Sequence, residues 1–221
     1  MRLTLALTGL ALASTAALAQ EATKRKAERL VTIDDAKVSE GQKHFAPCVG
    51  CHGAEGEGRV GIAPSLTSKS FLEAAGDDLL IRTISAGRAG TTMIPWAAML
   101  TQPQIEAVVA FIRSKQKTEP AELDEAPLKG NADAGAALFA SICSTCHGRN
   151  GGGYMETVSG SGIGRSGFLN TVSDGYLRYI IKHGKSGTPM KSFALGSKTA
   201  LANLTDQQIE DIIAHLRANA W

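Results

Sequence analysis

Two stretches of the chain have the apolar periodicity of an amphipathic helix, and the two stretches match each other. In each, apolar side chains recur at positions i, i+3, i+4 and i+7, a spacing that puts them on one helical face. The positions are Ile105, Val108, Val109 and Ile112 in the first stretch and Ile209, Ile212, Ile213 and Leu216 in the second. Each half of the chain is therefore predicted to close with a helix that buries one apolar stripe.

The correspondence between the halves continues upstream of these helices. A phenylalanine precedes a methionine by 22 residues in both halves, and a glycine precedes the same methionine by 6. The matched pairs are Phe71 with Phe168, Gly87 with Gly184, and Met93 with Met190. A repeat of this length predicts two consecutive domains of one fold, residues 36–115 and 131–221. Residues 116–130 between them lack apolar periodicity and contain two prolines, which predicts an exposed linker.

The N-terminus has the composition of an export signal. Arg2 precedes a short apolar stretch, and Ala17 and Ala19 have the small-x-small form of a signal-peptidase site. We therefore predict a signal peptide at residues 1–19, a mature chain that begins near Gln20, and a periplasmic protein. An uncleaved membrane anchor is the weaker alternative, because the apolar stretch is short and interrupted by Thr and Ser. No later stretch approaches the roughly 20 apolar residues of a membrane span.

Charge adds little to this picture. The chain has 23 Lys and Arg against 21 Asp and Glu. It has no basic stripe interleaved with aromatic residues, so we predict no nucleic-acid partner. One basic cluster, formed by Lys24, Arg25, Lys26 and Arg29, is predicted to lie on a solvated N-terminal helix.

All four cysteines belong to two copies of the motif Cys-x-x-Cys-His. The copies comprise Cys48, Cys51 and His52 in the first half and Cys143, Cys146 and His147 in the second. This motif is typical of haem c attachment, in which the two thiols add to the vinyl groups of one porphyrin and the histidine binds iron. We therefore predict two covalently attached haem c groups. Zinc is the main alternative, but it requires motifs 95 residues apart to converge, or each motif to find a fourth ligand.

Each half resembles a class I cytochrome c in its haem motif, its matched landmarks and its closing helix. The whole chain resembles a soluble periplasmic dihaem cytochrome c with two tandem domains. The resemblance implies an all-α fold around each haem, with a first helix that ends in the haem motif and a short middle helix. A methionine loop and a last helix that crosses the first complete the implied fold.

Methionine is a soft ligand that stabilises ferrous haem and fills the sixth site of the iron. In the first half we favour Met93 over Met99, because Met93 has a repeat partner and lies 41 residues after His52 in a sequence that resembles the family's methionine loop. In the second half we favour Met190 over Met155, which lies in a glycine-rich stretch close to the haem motif. The predicted iron ligands are His52 with Met93 and His147 with Met190.

Three histidines could replace methionine as the sixth ligand. We predict that His183 lies in an exposed turn, that His215 is a packed or half-exposed residue of the last helix, and that His44 faces solvent. None of the three has a repeat partner, which makes each a weaker candidate than the matched methionines.

The two halves differ after their haem motifs. Pro64 stands where the family supplies a carbonyl group to the Nδ1 proton of the ligating histidine, here His52. The second half has Ser-Gly-Ile at residues 161–163, which leaves the partner of His147 open and predicts that the two reduction potentials differ. The second half also has seven extra residues after its methionine.

These features predict an electron-transfer protein with no catalytic residues of its own, either a soluble carrier or the cytochrome subunit of a larger redox complex. It would serve a periplasmic respiratory or dehydrogenase chain. The expected partners are redox proteins: a dehydrogenase, a quinol-oxidising complex, a terminal oxidase or another cytochrome. The alternatives are a dihaem peroxidase, which needs an iron with an open sixth site, and an oxidoreductase for sulfur compounds, which needs an extra cysteine or histidine ligand. Both halves keep a methionine in register and no cysteine is left over, so neither alternative is preferred.

Overall fold

The computed structural model describes residues 23–157 and 159–221. The predicted signal peptide and its cleavage point lie outside these ranges. Within them the regular secondary structure is helical apart from one sheet of two short strands, in agreement with the predicted all-α class. No helix in the same ranges is long and apolar enough to cross a membrane.

Two sets of helices follow each other along the chain in the same order. The first set is α1 (Asp35–Phe45), α2 (Val49–His52), α3 (Lys69–Ala74), α4 (Asp77–Ala86) and α5 (Gln102–Ser114). The second set is α6 (Ala132–Leu138), α7 (Ser144–His147), α8 (Ser166–Leu169), α9 (Asp174–His183) and α10 (Asp206–Ala218). Each helix of the first set has its counterpart five helices later, so the sequence repeat is also a structural repeat.

The first and last helices of each set cross at a glycine. A Cβ atom at Gly41 in α1 would overlap the carbonyl oxygen of Ala107 in α5, and one at Gly135 in α6 would overlap that of Asp211 in α10. Only a residue without a side chain allows the two backbones to approach this closely. The predicted apolar stripes of α5 and α10 are buried, with every member at most 5% exposed. This crossing anchors α1 and α6, the helices that lead into the haem motifs.

The two strands join the N-terminal segment to the linker. β1 (Lys24–Lys26) pairs antiparallel with β2 (Glu122–Asp124). The basic cluster therefore begins in a strand, and the predicted solvated helix is wrong. The linker is likewise not exposed throughout, because Leu123 in β2 is only 5% exposed. The two strands could not be predicted from the sequence, because three residues are too few to show a periodicity. A strand of this length is stable only when the tertiary fold supplies its partner.

Arg29 is the member of the basic cluster that contacts the first domain. Its guanidinium donates to the carbonyl oxygens of Leu72 at 2.7 Å, Glu73 at 3.3 Å and Ala75 at 3.2 Å. These carbonyls lie at the C-terminal end of α3, where helix carbonyls lack partners within the helix and a cation is favourable. Burial lowers the pKa of Arg29 to about 10, and the charge of Arg113 adds to this shift. The N-terminal segment is thus fastened to the first domain.

The two domains contact each other through equivalent helices. Tyr179 in α9 donates a hydrogen bond to the carboxylate of Glu73 at 3.0 Å. Arg82, at the matching position of α4, donates to the carbonyl oxygen of Thr171 at 3.4 Å. The middle helix of each domain therefore reaches the other domain, and the contact is reciprocal.

Candidate haem sites

Each haem motif lies in a continuous helical stretch. α1 continues through a 3₁₀ turn (Ala46–Cys48) into α2, and α6 continues through a π-helical turn (Phe139–Cys143) into α7. Residues three apart on a helix lie on one face, so the two cysteines of each motif point to the same side and the histidine follows directly. Both domains therefore present the motif on the same structural element.

The four motif cysteines form no disulfide bonds. Burial raises the pKa of the Cys48 thiol to about 11, and that of the Cys143 thiol to about 12, with a smaller contribution from the second cysteine of each motif. A redox-active Cys-x-x-Cys motif has the opposite property, a thiol whose pKa is lowered. The surroundings of these motifs therefore do not favour dithiol redox chemistry.

The histidine of each motif is held by a backbone carbonyl group. His52 Nδ1 donates to the carbonyl oxygen of Pro64 at 3.0 Å, as predicted. His147 Nδ1 donates to the carbonyl oxygen of Ser161 at 2.8 Å, which answers the question that the sequence left open. A carbonyl oxygen can only accept, so Nδ1 carries the proton in both rings and Nε2 is left with its lone pair. A metal-ligating imidazole requires this tautomer and orientation.

Both histidines are also kept neutral. Burial lowers the pKa of His52 and of His147, although the hydrogen bond to the backbone carbonyl raises it in each case. The positive charge of Lys185 lowers both pKa values further. The neutral imidazole is the form that binds a metal ion.

The two predicted methionine ligands lie in loops with the same hydrogen bonds. The backbone N–H of Arg88 donates to the carbonyl oxygen of Met93 at 2.8 Å, and that of Lys185 donates to the carbonyl oxygen of Met190 at 2.6 Å. The threonine two residues before each methionine donates its hydroxyl to the carbonyl of the same basic residue, at 2.7 Å in both domains. The chain thus builds one methionine loop twice.

A glycine begins each of these loops. Gly87 has a φ of 65° and Gly184 a φ of 70°, in the left-handed region that favours glycine. A Cβ atom would lie 2.5 Å from the carbonyl oxygen of Met93 in the first loop and 2.5 Å from that of Met190 in the second. The glycines that mark the sequence repeat are therefore required for the close approach of the two ends of each loop.

The alternative methionine ligands, Met99 and Met155, are both exposed. Met99 is 55% exposed and Met155 is 71% exposed. The sulfur of Met155 also lies 2.7 Å from a guanidinium nitrogen of Arg165. Neither has the half-buried, hydrogen-bonded setting of the matched methionine loops.

The three alternative histidines contact other side chains. His183 is exposed and its ring centroid lies 4.2 Å from that of Tyr179. The ring of His215 packs against that of Phe139 at 5.3 Å. His44 is less exposed than predicted, because its Nε2 lies 2.7 Å from the carboxylate of Glu40 and its side chain is 20% exposed.

The residues present fit a porphyrin better than zinc. Arg88 Nη1 and Arg165 Nε are buried without a hydrogen-bond partner in the part of the chain that the structure describes. Each haem c carries two carboxylate groups, and unpaired guanidinium donors are suited to bind them. By contrast, residues 23–157 and 159–221 contain no group of three or more His, Cys, Asp or Glu side chains placed to hold a metal ion.

Sequence reasoning missed three participants in these sites. Ser161 contributes only its backbone carbonyl, which every residue type possesses. Arg88 and Lys185 each follow the matched glycine of a methionine loop, and this coincidence of two basic residues in the repeat is the signal that could have identified them.

A sequence model of the cytochrome c family matches the chain twice, at residues 38–116 and 132–220. The chain therefore belongs to the cytochrome c family. Its two matched domains and four motif cysteines fit two covalently attached haem c groups, as in a dihaem cytochrome c involved in electron transfer.

The chain is also similar to two curated relatives and to one solved structure. The cbb3-type cytochrome c oxidase subunit FixP of Azorhizobium caulinodans is 33% identical over 129 residues, which cover 55% of this chain but only 42% of FixP. Cytochrome c4 of Thiocapsa roseopersicina is 24% identical over 180 residues, 77% of this chain and 85% of the relative. A chain of the reducing HAO-like protein complex of Kuenenia stuttgartiensis superposes with a TM-score of 0.53 at 22% identity, covering 87% of this chain and 100% of that one. The last comparison shows a shared fold.

Proposed function

We propose that this protein transfers single electrons in a periplasmic respiratory or dehydrogenase chain, with both irons six-coordinate. His52 and Met93 ligate the first iron, and His147 and Met190 ligate the second. The observation that carries the proposal is the methionine loop built twice with the same glycine and the same hydrogen bonds. A peroxidase requires an open or displaceable sixth site at one iron, whereas two equivalent methionine loops suit a carrier.

The residues of each site have three roles: to attach the haem, to orient the histidine ligand and to set the reduction potential. When bound, each haem supplies an iron that alternates between the ferrous and ferric states. The cysteines would hold the porphyrins, and the carbonyl groups of Pro64 and Ser161 fix the orientation of the two histidines. The thioether sulfurs of Met93 and Met190 favour the ferrous state and so raise the reduction potentials.

The relatives and the N-terminal composition support the proposed setting and partners. FixP is named as an oxidase subunit and the Kuenenia chain belongs to a complex, which supports a role with a donor and an acceptor that are themselves redox proteins. The export-like composition of residues 1–19 supports a periplasmic location. We therefore place the protein between a periplasmic dehydrogenase or quinol-oxidising complex and a terminal oxidase or another cytochrome.

The absorption spectrum of the oxidised protein tests the ligation. Methionine bound to ferric haem gives a charge-transfer band in the far red, and the haem content per chain is measured on the same sample. Two haems with the full band intensity are expected. Half of that intensity, or a high-spin band, would show that one iron lacks its methionine, and peroxide turnover by the isolated protein would then favour the peroxidase alternative.

Single substitutions assign the band to residues. Met93→Ala and Met190→Ala should each remove about half of the intensity. Met99→Ala and Met155→Ala are matched controls, because both side chains are exposed, and neither should change the band. A loss of intensity in either control would reassign the ligand of that domain.

A further inference from the structure

Lys185 lies where the second domain meets the first. Its Nζ atom donates to the carbonyl oxygen of Ser65 at 3.0 Å. The same ammonium group lies 4.5 Å from the centre of the Phe71 ring, in contact with its face. Both contacted residues belong to the first domain, so this side chain crosses the domain boundary.

The contacted loop is the one that orients the first haem-motif histidine. Ser65 directly follows Pro64, whose carbonyl oxygen accepts the Nδ1 proton of His52. The peptide group between Ser65 and Leu66 is held on both sides, since its carbonyl accepts from Lys185 and its N–H donates to the carbonyl oxygen of Gly56 at 2.8 Å. A side chain of the second domain therefore helps to fix the histidine loop of the first.

The backbone of Lys185 belongs to the other site. Its N–H donates to the carbonyl oxygen of Met190, the proposed sixth ligand of the second iron. One residue thus connects the methionine loop of the second domain to the histidine loop of the first.

The charge of Lys185 lies between the two sites. Its Nζ atom is held one residue from the carbonyl group that orients His52, and its backbone N–H is bonded to Met190. The interaction of two charges weakens with the distance between them, so a charge held here is placed to act on both sites.

We propose that Lys185 is a positioning residue shared by the two haem sites, which ties the methionine loop of one to the histidine loop of the other and raises both reduction potentials. Reduction adds an electron to each iron site, so a nearby positive charge favours the reduced state. This inference rests on the His/Met ligation proposed above.

The test is a spectroelectrochemical titration of the dihaem protein that resolves the two haems. Lys185→Met keeps the length and the apolar contact with Phe71 but removes the charge, and the equilibrium constant for reduction should fall roughly fivefold at each haem. Lys185→Arg should retain both potentials, because arginine is the residue that the first domain has at this position. Lys198→Met, which removes an exposed charge from the same domain, should leave both unchanged.

Unchanged potentials in Lys185→Met, or a fall at one haem alone, would overturn the inference. The far-red band, measured on the same samples, keeps this result separate from the ligation. An incomplete band in the unsubstituted protein contradicts the proposed ligation, whereas a complete band with unmoved potentials contradicts only the role of Lys185. If Lys185→Met itself loses band intensity, Lys185→Gln replaces it, because glutamine keeps a donor for Ser65 without the charge, and the same fall at both haems is required.

Discussion

His147 Nδ1 lies 2.8 Å from the carbonyl oxygen of Ser161, in the position that Pro64 occupies relative to His52 in the first domain. The acceptor is a backbone atom, so the two domains orient their histidines alike with different side chains. Proline fixes its own φ angle, whereas serine does not. The two domains therefore share the hydrogen bond and differ in the stiffness of the loop that provides it.

Replacement of Pro64 should separate the effect of loop stiffness on stability from the effect of the carbonyl hydrogen bond on haem ligation. Pro64→Ser should keep the far-red band, because the carbonyl group remains. It should lower the free energy of unfolding by about 0.5–1 kcal/mol, since serine gives the unfolded chain more conformational freedom to lose. Thermal unfolding of the haem-loaded protein measures the loss, and disappearance of half of the band would contradict the assignment of the role to the backbone.

Gly184 should be intolerant of a side chain for a steric reason. Gly184→Ala places a Cβ atom 2.5 Å from the carbonyl oxygen of Met190, and should displace that methionine and remove about half of the far-red band. Gly187→Ala is the matched control, because Gly187 also has a positive φ, 77°. A Cβ atom there would have open space around it, since no atom of the described residues beyond its chain neighbours lies within 4 Å. It should retain the band at a stability cost of about 1 kcal/mol. Equal loss of the band in both variants would mean that backbone strain, and not the contact with Met190, is responsible.

The buried ion pair of the first domain should be far more sensitive to truncation than its counterpart in the second. Arg113 donates to Asp77 at 2.8 Å and the two side chains are 3% and 1% exposed. Asp77→Ala leaves a buried guanidinium without its counter-charge, so the free energy of unfolding should fall by about 3–5 kcal/mol. Asp174→Ala removes the equivalent partner of Arg217, where the side chains are 28% and 27% exposed, and should cost about 1 kcal/mol.

Chemical denaturation followed by the haem absorbance of each domain measures this difference. Asp77 also accepts hydrogen bonds from two backbone N–H groups of the N-terminal segment. Equal losses in the two variants would contradict the predicted dependence on burial.

The second domain should lose stability in acid through Glu210. Arg178 donates to its carboxylate at 2.5 and 2.9 Å. Burial alone would raise the pKa of Glu210, but the hydrogen bonds from Arg178 and from the backbone of Lys129 outweigh it and hold the pKa below its ordinary value of 4.5. The unfolded state therefore binds the proton more tightly, and the stabilisation is complete above pH 4.5 and is lost as the pH falls through the lower value of the folded state.

Thermal unfolding between neutral and acidic pH should show this loss. Glu210→Gln should flatten the dependence in that window. Glu106→Gln is the same change at the equivalent position of α5, where the glutamate accepts from Gln102 and not from an arginine, and it should leave the slope as it is. An unchanged slope in Glu210→Gln would contradict the predicted role of this carboxylate.

Much of the fold follows from the sequence because it is encoded locally or by repetition. The stripe that includes Val109 and Ile213 identifies the closing helices, since helical periodicity is a property of neighbouring residues. The small strands could not be predicted, because β1 and β2 are stable only as partners of each other and Leu123 is buried only by the assembled domains. Arg29 illustrates the same limit, as its partners are backbone carbonyls at the C-terminal end of α3.

The order of residues is enough to predict the chemistry of this protein: two haem motifs, two matched methionines, and two domains of one helical type. Covalent attachment of haem needs particular residue types at a fixed local spacing, and this spacing can be recognised without a structure. The hydrogen bond from His147 to Ser161 and the contact of Lys185 with the first domain are visible only in the folded protein. Those relationships depend on backbone atoms and on contacts between domains, and neither can be predicted from the types of the residues involved.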